Sequence, residues 1–268
     1  MSILITKRQA PFTRLSLITA LLSRWKFNLS KTLLVVGANS TIARAFIVNA
    51  HEHGHTVYSV SRTDLDQRLK PCVVSHTCLD YNETTIAAFT AQLSARSETR
   101  FDGVFIFLGL LHNDHFMPEK RVSNLNLAQM QQTFEVNTFL PIIWAKHSLT
   151  LFDRKRQAQL VCLSARVGSI GDNRLGGWYS YRSSKAALNM MLQCLAVEAK
   201  RLYPKLSIIA FHPGTNDTPL SKPFQKNVPE GKLFEPSWLV SQMNQVLSTL
   251  PNDEFLHYID WQGQPIPF

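Results

Sequence analysis

Thr32-Leu33-Leu34-Val35-Val36-Gly37-Ala38-Asn39-Ser40-Thr41-Ile42-Ala43-Arg44-Ala45-Phe46-Ile47 reads as a strand, a tight turn and the opening of a helix. Residues 32–36 are apolar nearly throughout, without polar alternation. A strand buried on both faces has that pattern. Gly37 interrupts the run, and small or polar residues follow it. From Thr41 onward the apolar positions return at helical spacing. Such a unit also creates an anion site. Amides at the helix N-terminus point at the turn, and small residues there let a pyrophosphate approach the backbone. Gly37, Asn39, Ser40, Thr41 and Ile42 are therefore candidate dinucleotide-binding residues. The match is imperfect, since Thr41 stands where a second glycine is usual and Ala43 where a third is usual. On this loop alone, an ordinary strand–turn–helix stays open as a reading.

Outward from this unit the same alternation repeats. Strands are expected at 32–36, 56–60, 72–79, 103–108, 159–164, 206–211 and 255–259. Helices are expected at 41–52, 84–95, 127–151, 179–202 and 236–250. Strands separated by helices imply a parallel sheet covered on both faces. The expectation is an α/β fold: one doubly wound, Rossmann-type domain over 32–268, preceded by a basic extension over 1–31.

Composition narrows the class. Hydrophobic residues make up 45% of the 268 and charged residues 18%, which excludes a disordered chain. The net charge of +9 is uneven: Lys7, Arg8, Arg14, Arg24, Lys26 and Lys31 supply six charges with no acid among them. The remaining +3 gives no reason to expect nucleic acid. The first 31 residues read as a targeting segment, a surface-adhering helix or an extension outside the domain. No apolar run is long enough to span a membrane. Cys72, Cys78, Cys162 and Cys194 form no CxxC pair. They read as reduced thiols at core or near-core positions, implying a cytoplasmic location and no metal site.

Two positions bear on cofactor choice. Arg62 follows the second strand, where a carboxylate would bond a ribose 2′-hydroxyl and an arginine favours a 2′-phosphate. NADP(H) is thus expected, with NAD(H) left open. Asp80 ends the third strand and either accepts from an adenine amino group or caps the next helix.

Tyr181-Arg182-Ser183-Ser184-Lys185 places a phenol and an ammonium four residues apart on one helix face. The ammonium favours tyrosinate, so the phenol can exchange a proton with a substrate oxygen near working pH. Tyr179 competes for the role, but its i+4 neighbour is Ser183.

Taken together, the Gly37 loop, Asp80, Gly109, Asn137, Ser164, Tyr181/Lys185 and His212-Pro213-Gly214 resemble the short-chain dehydrogenase/reductase pattern over about 32–268. The segment from Ser164 to Arg182 is most similar to C-factor-like signalling proteins and sniffer-type carbonyl reductases. The resemblance implies that Tyr181 is the acid/base and that Lys185 binds the nicotinamide ribose. It implies that Asn137 holds a relay water and that Pro213, Gly214 and Thr218 contact the nicotinamide. Gly109 is all that remains of the usual Asn-Asn-Ala-Gly. Ala165 stands where the substrate-positioning serine is more often found, so Ser164, Ser169 or no serine takes that part. The implied function is NAD(P)(H)-dependent interconversion of a small-molecule carbonyl and alcohol. The alternative is a dinucleotide-binding signalling or regulatory protein with little turnover. A homodimer or homotetramer is implied. The Pro- and Lys-rich stretch 217–234 is expected to be a lid over the nicotinamide.

Overall fold

The computed structural model describes residues 30–96, 100–251 and 255–268. The basic extension expected over 1–31 lies outside them, except for Ser30 and Lys31.

In chain order the elements are β1 (Thr32–Val36), α1 (Thr41–Glu52), β2 (Thr56–Ser61), β3 (Ser75–Cys78), α2 (Glu83–Ser94), β4 (Gly103–Ile106), α3 (Leu127–Phe134), α4 (Leu140–Ser148), β5 (Ala158–Leu163), α5 (Tyr179–Leu202), β6 (Leu206–His212), β7 (Thr215–Asn216), β8 (Leu233–Phe234), α6 (Pro236–Thr249) and β9 (His257–Asp260). Seven strands form one sheet in the order β3-β2-β1-β4-β5-β6-β9, each neighbouring pair parallel. The chain winds outward from β1 to one edge, then returns through β4 and winds to the other. The reversal opens a crevice beyond the carboxyl ends of β1 and β4, where ligands of such sheets bind.

Alternation along each strand sends successive side chains to opposite faces. Leu34, Val36, Val104, Ile106, Leu160 and Cys162 pack with Trp144, Leu188 and Leu192 on one face. Leu33, Val35, Phe105, Val161 and Ile209 pack with Phe46, Ile47, Leu239 and Met243 on the other. Both faces are covered, so the strands read as apolar runs and not as alternating ones.

Two expected elements differ. The strand expected over 72–79 is shorter: a helical turn occupies Gln67–Cys72, and pairing begins only at Ser75. Pro71 lacks an amide donor, and the Asp66 side chain accepts from the Arg68 amide at 3.0 Å, which favours a turn there. The single helix expected over 127–151 is divided by a wider π-turn at Glu135–Phe139, where the Leu140 amide bonds to the Glu135 carbonyl five residues back. Pro141 has no N–H to give to Asn137, so a regular ladder cannot continue through this point.

The cysteines also depart from expectation. Cys162 is buried and Cys72 half-buried, but Cys78 and Cys194 are exposed. Cys78 closes an edge strand, and Cys194 lies on the outer face of α5 beside exposed Met190, Met191 and Val197. Among the described residues, no helix is long and apolar enough to cross a membrane.

Candidate active site

The turn from β1 into α1 is built for close approach. Gly37 has φ +78°, and a Cβ there would lie 3.0 Å from the Phe107 carbonyl oxygen. Ser40 caps α1, its Oγ accepting from the Ala43 amide at 3.3 Å. The first-turn amides of Thr41 and Ile42 precede any intrahelical acceptor. Asn39 clasps the turn to the end of β2: its Nδ2 donates to Thr63 Oγ1 at 2.8 Å, to the Asp64 carbonyl at 2.9 Å and to Ser61 Oγ at 3.1 Å. Its Oδ1 is buried without a partner among the described residues. Tyr81, absent from the sequence reading, braces the same turn. Its hydroxyl accepts from the Gly37 amide at 3.2 Å and donates to the Val60 carbonyl at 3.1 Å. Arg62 and Asp80 are exposed near this end, and Arg62 forms no ion pair among the described residues. Gly109 is exposed beyond β4, with open space where a Cβ would stand. A buried unsatisfied acceptor, free first-turn amides and an unpaired arginine make up a donor and acceptor set that fits a dinucleotide.

Tyr181 and Lys185 lie on one face of α5, both buried. Lys185 Nζ donates to the Leu163 carbonyl at 2.8 Å and sits 6.0 Å from the Tyr181 ring centroid. Burial pushes the Tyr181 phenol up to about 12 and holds the Lys185 ammonium down to about 8. The expected pull of Lys185 on the phenol is therefore not the dominant effect; desolvation is. The resting phenol is therefore protonated at neutral pH. The loop after β5 approaches α5 closely. A Cβ at Gly168 would meet the Lys185 backbone at 2.9 Å, so glycine is required for that approach.

Asn137 is fully buried in the π-turn. Its Oδ1 accepts from the Leu110 amide at 2.7 Å, and its Nδ2 donates to the Leu110 carbonyl at 2.8 Å and to Ser184 Oγ at 3.1 Å. Both amide hydrogens are thus spent on tying the loop after β4 to α5, and only one Oδ1 lone pair remains for the expected relay water. Ser164 corrects the sequence reading more plainly. Its hydroxyl donates to Asn189 Oδ1 at 2.6 Å inside the packing of α5. The side chain that clusters with Tyr181 is Ala165. Ser169 Oγ accepts from the Asp172 amide at 3.0 Å and serves a turn. Gly214 has φ +70°, and a Cβ there would strike the Phe234 ring at 2.6 Å. Pro213 accepts from Asn216 Nδ2 at 2.9 Å, and the Thr218 carbonyl accepts from the Ser221 amide at 3.1 Å.

The stretch expected as a lid is folded onto this site. It holds a helical turn at Lys222–Asn227 and ends in β8, which pairs in parallel with β7 just before the stretch. Leu220 and Phe224 pack with Trp178, Val167, Leu111 and Tyr181. The Phe224 and Trp178 rings are 5.0 Å apart, and His112 Nε2 lies 3.2 Å from both the Pro219 and Leu220 carbonyl oxygens.

Glu119 is a second residue that the sequence reading missed. It is buried, and its carboxylate accepts from the Ser180 amide at 3.2 Å and from Ser180 Oγ. Its backbone carbonyl accepts from the Trp178 amide at 2.5 Å. Trp178 enters α5 at φ +51°, a conformation that costs a bulky residue free energy and must be held by its surroundings. Glu119 thereby sets the first turn of the helix that carries Tyr181. It lies 61 residues from Ser180, so no local capping motif marks it. Glu119→Ala is expected to cost about 1–3 kcal/mol, because it strands buried donors. Glu119→Gln should retain part of this. Denaturant unfolding of both variants checks it, and equal stability of Glu119→Ala and wild type would show that the clasp is idle.

With this geometry in view, residues 31–229 match the family model for short chain dehydrogenase. The chain belongs to the short-chain dehydrogenase family. It is an oxidoreductase of that family, whose members bind NAD(P). It is 29% identical over 194 residues to 1-hydroxy-2-glutathionyl-2-methyl-3-butene dehydrogenase of Rhodococcus sp. (strain AD45), covering 72% of this chain and 81% of the relative. It is 27% identical over 148 residues to C-signal of Myxococcus xanthus, covering 55% and 83%. The fold is that of a short-chain dehydrogenase/reductase from Burkholderia multivorans with bound NADP, at a TM-score of 0.75 and 23% identity, covering 90% of this chain and all of that one.

Proposed function

We propose that this short-chain dehydrogenase interconverts a carbonyl and an alcohol with NADP(H), using Tyr181 as its acid/base. The pairing of Tyr181 and Lys185 on one buried face of α5 carries this reading. The dinucleotide would lie along the crevice. Gly37, Asn39, Ser40 and the amides of Thr41 and Ile42 would hold its pyrophosphate end. Arg62 and Asp80 would meet the adenosine, and Gly109, Pro213, Gly214 and Thr218 the nicotinamide end. When bound, the nicotinamide supplies or takes up the hydride. The chain's own part is one proton and its surroundings. Tyr181, protonated at rest, donates to the oxygen that gains negative charge during reduction. Lys185 keeps a buried positive charge beside that phenol and offers hydrogens to a ribose. Leu111, Val167, Trp178, Leu220 and Phe224 exclude water and suit an apolar carbonyl compound. Ala165 favours a second reading, a dinucleotide-binding regulatory protein, because it leaves Tyr181 without the usual neighbouring hydroxyl. A panel of aldehydes, ketones and alcohols assayed by nicotinamide absorbance with both cofactors decides between them. Turnover supports the enzyme, and dinucleotide binding without turnover supports the regulator.

Arg62→Asp is expected to shift preference from NADP(H) toward NAD(H), since a like charge would face the 2′-phosphate. Titration of the variant with both dinucleotides tests this; unchanged relative affinity would assign the phosphate to another cation. The lid reading makes a separate expectation: trypsin should cut at Lys226 or Lys232 more slowly once NADP(H) is present. Equal cleavage with and without dinucleotide would make the segment a static wall.

A further inference from the structure

Away from Tyr181, the pairing of β2 with β3 gathers a second set of chemical groups at the edge of the sheet. His76 and Cys78 are two residues apart on β3 and so share one face. Asp64 stands in the segment leaving β2. One donor atom from each of these three residues lies within 4.8 Å of the other two, and no other group of three such side chains among the described residues does so. We propose that Asp64, His76 and Cys78 form a binding site for one borderline-soft divalent cation of the Zn2+ class.

The donor set selects the ion. An imidazole, a thiol and a carboxylate match the nitrogen, sulfur and oxygen ligands of Zn2+, whereas Ca2+ and Mg2+ prefer oxygen throughout. Zinc bonds of about 2.0–2.3 Å require the donors to draw in by roughly 1 Å. Asp64 and Cys78 are exposed and can make that adjustment by rotation. Three protein ligands leave the fourth position to water.

The histidine is the fixed member. Its Nδ1 lies 2.9 Å from Ser59 Oγ, and Ser59 is buried. A partner on one ring nitrogen orients the other for a metal, and here Nδ1–H donating to Ser59 leaves Nε2 as the ligand atom. Nε2 now rests 3.2 Å from Ser61 Oγ and 3.2 Å from the Thr63 carbonyl. Withdrawing it strands neither, because Asn39 Nδ2 donates to both and Ser61 Oγ donates to Thr63. Asp64 would exchange an exposed ion pair with Lys70 at 3.2 Å, a contact of small value in water. Cys78 would release its proton, since the thiolate is the ligand. The bound ion would then fasten the edge strand to the segment that Asn39 holds.

The test is a titration of the full chain, free of any affinity tag, with Co2+ and then Zn2+. Expected are saturation at one equivalent, thiolate-to-cobalt charge-transfer absorption and loss of that signal as Zn2+ displaces Co2+. Cys78→Ser should remove the charge-transfer absorption, and its exposed position leaves folding intact. His76→Asn and Asp64→Asn should weaken binding by more than the about 10–100-fold typical of an outer partner, and Ser59→Ala by about 10-fold. Zn2+ should raise the thermal midpoint of the wild type but not of Cys78→Ser. Thiolate absorption that persists in Cys78→Ser would assign binding to Cys72 or Cys194 and overturn the proposal. So would wild-type protein that shows no such absorption.

Discussion

Tyr181→Phe is expected to fold as wild type and bind dinucleotide normally, while turnover falls by about 10²–10⁴-fold. Only one oxygen is removed. The ring remains to pack with Leu111, Ala165 and Trp178, so the wall of the site stays in place. Among the described residues, no hydrogen-bond partner is lost with that hydroxyl, as the Tyr181 carbonyl, not its phenol, accepts from Ser184 Oγ at 2.8 Å. Steady-state rates on any substrate found in the panel, together with dinucleotide titration, measure the split. A variant within about threefold of wild type would remove Tyr181 from the chemistry and favour the regulatory reading.

Lys185→Met is expected to abolish turnover and, unusually for a buried position, to leave the protein at least as stable near neutral pH. Burial lowers Lys185 from 10.5 to about 8. The folded chain thus binds this proton less tightly than the unfolded chain. Below about pH 8 both states carry the charge, and the full penalty, on the order of 3 kcal/mol, opposes folding. Between about pH 8 and 10.5 the folded state releases the proton first, so this contribution to stability rises with pH. Methionine has similar length and no charge. It loses the bond to the Leu163 carbonyl, which offsets part of the gain. Denaturant unfolding from pH 7 to 10.5 is the measurement. Wild type should gain stability relative to the variant across that window. Parallel curves would show that the ammonium carries no burial penalty.

Much of the fold was legible because its signals are local. Apolar runs at residues 32–36 and 103–106, the Gly37 turn and the helical spacing of 41–52 all emerge within a few residues of one another. The candidate site was legible where a role depends on residue type and near spacing, as for Tyr181 with Lys185 or Gly37 with Ser40. It was not legible where a role depends on a distant partner. Ser164 reads as a catalytic hydroxyl until its bond to Asn189, 25 residues away, is seen. Asn137 likewise spends its amide on Leu110 and Ser184, 27 and 47 residues distant. Glu119 resembles any charged loop residue until α5 folds against it. The π-turn had a local signal after all, in Pro141, but a proline near a helix start reads equally well as an ordinary first turn.

The all-parallel pairing described above has a kinetic consequence. No neighbouring strands of this sheet can meet by closing a short hairpin, because parallel strands need a crossover between them. At the centre of the sheet the demand is greatest: the Thr32 amide bonds to an Asp102 carboxylate oxygen 70 residues away, and β1 pairs with β4 directly beside it. Chain entropy must be given up across that separation before the contacts form. The crevice between β1 and β4 is thus among the last features to assemble during refolding. Until it closes, the apolar edges of both strands stand exposed to other chains, so concentration, more than temperature alone, should govern how much protein refolds.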